Sequence, residues 1–83
     1  MQEMDITKTD LFNNVYIKSW TWGRLSETEK LSFIEVINKL LCCYKITEHS
    51  KHFEAVVDIA YMSFLYGLGY KCGFVDWRKS YDE

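Results

Sequence analysis

Apolar residues recur along this chain with a helical period rather than the two-residue period of a strand. Over residues 26–44, advancing about 100° per residue from Phe33 brings Ile34, Ile37, Leu40, Leu41 and Tyr44 onto one face, with Val36 and Cys43 at its edge. Glu35, Asn38 and Lys39 take the opposite face, and Glu35 stands four residues before Lys39, the favourable order for a helical ion pair. Ser26 and Glu29 have capping-box spacing, in which the serine oxygen accepts the third amide proton and the glutamate reaches back to the cap amide. A second periodic run covers residues 51–68, where Phe53, Val56, Val57, Ala60, Phe64 and Leu68 form a matching stripe. The polar segment 46–51 turns the chain between them, with Thr47 and Ser50 as cap candidates, and Gly69 is the expected stop. The two runs predict an antiparallel helical hairpin.

The flanks carry weaker patterns. Thr9 is placed to cap a helix over residues 10–22, with Leu11, Phe12, Val15 and Trp22 inward and Gly23 ending it. Phe74, Trp77 and Tyr81 repeat at i, i+3 and i+7, and Arg78 stands four before Asp82, which favours a helix there too. The competing arrangement is α+β: residues 15–22 are rich in β-branched and aromatic side chains, and only 70–77 offers them a partner for a two-stranded ribbon. A ribbon of two strands is marginally stable, so the expectation is a mainly α domain of three or four helices over residues 1–83.

The second periodic run has a further property. Residues 59–70 contain no charge and four aromatics, Tyr61, Phe64, Tyr66 and Tyr70. They are too few for a membrane span, which needs about twenty apolar residues, so protein must cover them. Behind the core stripe, Ala55, Ile59, Met62 and Tyr66 make a second apolar stripe at i, i+4, i+7 and i+11. Either the terminal elements cover this back, or it is a docking face for a second copy or another protein. Trp20 and Trp22 point about 160° apart on a helix, so one of them is expected outside. Exposed Trp and Arg often dominate binding energy, which adds Trp20, Trp77 and Arg78 to Ile59, Met62, Tyr66 and Tyr70 as partner-binding candidates; the other arrangement has Trp20 and Trp77 closing the ends of the core.

Composition narrows the chemistry. The net charge is −2 with both signs scattered, so no clustered basic face for nucleic acid is expected, and Tyr61, Tyr66 and Tyr70 have no basic groove beside them for stacking bases. Three cysteines, two adjacent, make no disulfide framework and suit a reducing, cytoplasmic compartment, and no signal segment follows Met1. His49 and His52 with Cys42, Cys43 and Cys72 lack a zinc spacing, and nothing local brings a thiol to an imidazole. Gly67, Gly69 and Gly73 have neither the preceding strand nor the lysine of a phosphate loop, and Gly67 falls where it would permit close helix approach. No catalytic, cofactor or metal residue is therefore assigned.

These readings converge on a small non-enzymatic protein that occupies a partner protein's surface, with homodimer formation as one form of it. Lysine-rich, asparagine-, isoleucine- and tyrosine-rich usage adds the expectation of a phage or mobile-element inhibitor or regulator of a host system. The alternative is a small helical nucleic-acid-associated or transcriptional regulator presenting Arg24, Lys30, Lys45 or Lys51 to phosphate.

Overall fold

The longest helix begins at the capping box. In a computed structural model, which describes residues 5–71 and 76–78, Ser26 is extended and its Oγ accepts from the Glu29 amide at 3.2 Å, while its own amide donates to Glu29 Oε1 at 2.9 Å. The helix that follows, α2, spans Glu27–Cys43, and its outer face carries the Glu35–Lys39 pair at 3.4 Å. α2 is preceded by a short helix, α1, over Trp20–Arg24 and followed by α3 over Phe53–Gly67. A turn at Ile6–Lys8, a wide π-turn at Phe12–Tyr16 and a single tight turn at Asp76–Arg78 complete the described elements, so the protein is mainly helical.

The two long helices end in the same way. Tyr70 N donates to Leu65 O at 3.0 Å and Gly69 N to Tyr66 O at 3.0 Å, with Gly69 at φ 95°. Ile46 N donates to Leu41 O at 2.9 Å and Lys45 N to Cys42 O at 3.2 Å, but there the left-handed residue is Lys45 at φ 57°. Both closures satisfy terminal carbonyls. Thr47 and Ser50 do not cap α3; Ser50 Oγ accepts from Thr47 N at 3.0 Å and Thr47 Oγ1 from His49 N at 3.3 Å, which shapes the connection instead.

The segment 10–22 is helical as its mainly α reading requires, but it is not one helix. Thr9 does cap it, its Oγ1 accepting from Phe12 N at 3.2 Å. The chain then widens into the π-turn, where Ile17 N reaches Phe12 O at 3.1 Å, and stops at Ser19. The Ser19 hydroxyl donates to Tyr16 O at 2.8 Å and accepts from Trp22 N at 3.2 Å, so one side chain closes the first turn and opens α1. Gly23 lies inside α1, which runs to Arg24, rather than ending it. Residues 15–22 form no strand, with Ser19 a single bridge residue between the π-turn and α1; residues 72–75 and 79–83, with Cys72, Gly73, Phe74, Tyr81 and Asp82, lie outside the described residues.

The core is built on aromatic rings. Tyr16 stacks on Tyr61 at 4.9 Å between centroids and meets Trp77 edge-on at 4.6 Å, and Phe33 from early α2 reaches Tyr61 at 4.8 Å and Phe64 at 5.5 Å late in α3. Edge-to-face and offset pairs of this kind add to the area each ring buries. Ile37 and Leu41 of α2 extend the core, and the Ile6–Lys8 turn is tied to α2 by Ile6 N donating to Asn38 Oδ1 at 2.7 Å. Asn38 is thus half-buried under the N-terminal turn, not on an open face.

The inward face of α3 is rotated from the one its apolar spacing predicts. Phe53 and Val57 are buried, but the remaining buried positions are Asp58, Tyr61 and Leu65, while Leu68 and Gly67 are exposed. The centre of the face moves by roughly 75°. Tyr61 draws it, since this ring packs against Tyr16, Phe33 and Trp77 at once. Among the described residues a Cβ on Gly67 would meet nothing within 4 Å, so this glycine serves no close approach to them. On α2 the rotation is smaller, yet Tyr44 and Val36 point to solvent.

Candidate functional site

α3 buries its lone central charge and exposes apolar residues on the other side. Asp58 is only 2 % exposed, and both its oxygens are engaged: Tyr16 OH donates to Oδ1 at 3.4 Å and Arg78 Nη2 donates to Oδ2. The same Nη2 donates to Glu54 Oε2 at 2.7 Å, one turn earlier on α3. Burial pushes the Asp58 carboxyl above its ordinary value, against the opposing pull of the Arg78 guanidinium. Burial likewise drives the Tyr16 phenol well above its ordinary range, and the Asp58 charge beside it adds to the shift. For Arg78, burial acts against the charged form, but its bonds to Glu54 and Asp58 outweigh this and hold it above its usual value.

This cluster fastens the Asp76–Arg78 turn to α3. Trp77 is wholly buried, edge-on to Tyr16 and Tyr61 at 4.6 and 4.7 Å, and Arg78 lies over its ring at 5.1 Å. Trp77 is therefore a core residue and Arg78 a strut, and neither is an exposed anchor, because the buried Asp58 needs a counter-charge that the turn supplies. Each Asp58 oxygen is thus engaged by one donor, Tyr16 OH on one side and Arg78 Nη2 on the other.

The outward face of α3 holds the other candidates. Ile59 is 58 % exposed and Tyr66 54 %, with Ala55 exposed beside them. Met62, on the same stripe, is half-buried and packs on the core, as does Tyr70. On α1, Trp20 is 38 % exposed with the Arg24 guanidinium 4.4 Å from its ring centre, whereas Trp22 is buried against Phe12 at 5.3 Å. The two tryptophans divide as their angular separation predicts. Arg24 joins the surface set only in the fold, where it stacks on Trp20. Asp58 and Tyr16 were not singled out by spacing; the available signal is that Asp58 is the one charge between Glu54 and Lys71.

The titratable residues of the chain's polar segments line three recesses, two of which share Lys51 and Glu54. A cleft of about 580 Å³ between residues 10–15 and 48–54 is lined by Asp10, Asn14, Glu48, His49, Lys51 and Glu54 among others. His52 faces a smaller recess with Lys51, Glu54 and Asp58, and Cys42 and Cys43 line a groove of about 400 Å³ on α2. Among the described residues no three His, Cys, Asp or Glu side chains converge as a metal site would require. Lys30 is turned onto Glu27 at 3.5 Å and over the Trp22 ring at 6.0 Å, and Arg24 onto Trp20, so these two cations do not pool into a phosphate-binding face. Among the described residues no helix is long and apolar enough to cross a membrane. Comparison with known proteins gives no relative from which to argue: no family model, no curated protein and no solved structure matches this chain.

Proposed function

We propose that this chain is a non-enzymatic binding protein that works by covering part of another protein's surface, with the outward face of α3 as its contact. The observation that carries this reading is that Ile59 and Tyr66, seven residues apart on one side of a helix, stay more than half exposed while the helix turns its only central charge inward. Apolar side chains at i and i+7 are the spacing with which one helix enters a groove on a partner. Trp20 with Arg24 offers a second anchor of the residue types that contribute most at interfaces. The scattered surface charges would set orientation and encounter rate more than strength. A cytoplasmic setting and a role as inhibitor or regulator, of phage or mobile-element origin, belong to the same proposal; the exposed, unbonded Cys42 and Cys43 fit a reducing compartment.

The test is solution mass by light scattering across a concentration series, for the parent and for the double variant Ile59→Lys/Tyr66→Lys. A parent dimer that the variant abolishes, with unchanged circular dichroism, makes the face a self-interface. If the parent is a monomer, a photo-crosslinker at position 59 or 66 should trap one discrete protein in the source cell, and the same crosslinker at Glu35 should not. Equal labelling from all three positions would defeat the reading.

A further inference from the structure

We propose that Cys42 and Cys43 form a chelating dithiol site for trivalent arsenicals. Both thiols are exposed and unbonded, and they sit side by side at the last turn of α2. Both line a groove of about 400 Å³ together with Glu35, Asn38 and Lys39, which offers room for a substituent on the bound arsenic. Adjacent residues on a helix point about 100° apart, whereas a disulfide needs close, aligned Cβ atoms. Unwinding the turn to bring them together is opposed by its closure, since Ile46 N is held on Leu41 O at 2.9 Å and Lys45 N on Cys42 O at 3.2 Å. The pair is thus poorly placed to oxidise internally. An arsenic atom with two sulfur bonds spans a longer gap than one sulfur–sulfur bond, so chelation suits this spacing better.

The chemistry balances without an oxidant. With phenylarsine oxide, each thiol gives up its proton, two arsenic–sulfur bonds form, and the arsenic-bound oxygen leaves as one water; arsenic and sulfur keep their oxidation states. The site is independent of the α3 face, and it uses neither His49 nor His52, which line other recesses.

The experiment titrates the reduced 83-residue chain with phenylarsine oxide and follows intact mass and free thiols. The expected result is one arsenical per chain with two thiols lost, an adduct that survives excess monothiol and is stripped by a dithiol. Cys42→Ser and Cys43→Ser should each weaken binding by about 100-fold or more, the loss of a second linked contact, with unchanged circular dichroism because both positions are exposed. Cys72→Ser should bind as the parent does. Parent-like affinity in either of the first two variants, loss of affinity in Cys72→Ser, or removal of the parent adduct by monothiol would overturn the assignment.

Discussion

Asp58 and Ile59 are neighbours in the chain and sit in opposite environments. The carboxylate is 2 % exposed among aromatic rings, while the branched apolar side chain next to it is 58 % exposed. Polarity alone would reverse the two. What decides the arrangement is the partner each finds: Asp58 meets Arg78 and Tyr16, whereas Ile59 is left more than half uncovered. A helix face is turned inward by the sum of its packing, and here Val57, Tyr61 and Leu65 bring Asp58 in with them. A buried ion pair of this kind adds little net stability, because desolvation offsets attraction, but breaking it is expensive.

The largest effect expected comes from removing the counter-charge. Arg78→Leu leaves the Asp58 carboxylate buried with one long hydrogen bond, and unfolding by urea should show a loss of about 3–5 kcal/mol. Adding Asp58→Asn to that variant should restore a substantial part of it, since the charge that lacked a partner is gone. If Arg78→Leu is neutral, the inner half of the comparison fails.

The pH dependence sharpens the same contrast. Asp58 has its folded carboxyl raised above 3.8, so the native state holds this proton more readily than the unfolded chain does. Its contribution to stability is therefore fully present below the ordinary carboxylate value and is lost as pH rises through the raised folded value. Melting temperatures of the parent and of Asp58→Asn, compared from neutral to acid pH, should show the parent gaining on the variant as the pH falls. The opposite slope would mean that Arg78 outweighs burial.

Smaller effects follow on either side of the helix. Tyr16→Phe keeps the ring at the centre of the core and removes only the 3.4 Å bond to Asp58, for an expected loss of about 1 kcal/mol in the same urea measurement. Smallest of all, Ile59→Ser and Tyr66→Ser should shift stability by no more than about 0.5 kcal/mol, because neither side chain is part of the core. A large loss in either would place the outer face in the fold rather than at a binding surface.

Much of the local structure is legible in the residues. The Ser26 and Glu29 capping box, the Glu35–Lys39 pair, the left-handed Gly69 and the division of Trp20 from Trp22 all involve partners within a few positions, so spacing is enough to read them. The break at Ser19 is harder, because a serine hydroxyl that serves two turns at once looks the same in sequence as one on an open helix face. Of the candidate surface residues, Ile59, Tyr66 and Trp20 lie outside, whereas Trp77 and Arg78 are drawn in by groups far away in the chain.

By itself the sequence determined that the chain is mainly helical, where α2 begins and where α3 ends, and that α3 carries more apolar surface than one face of a small core takes in. These follow from periodicity, caps and an absence of charge, all of them short-range properties of the polypeptide. Only the tertiary structure decided which side of α3 faces inward. Asp58 becomes tolerable inside because Tyr16, 42 residues before it, and Arg78, 20 residues after it, converge on its two oxygens. Burial of a charge depends on partners brought together by folding, and no local pattern encodes them.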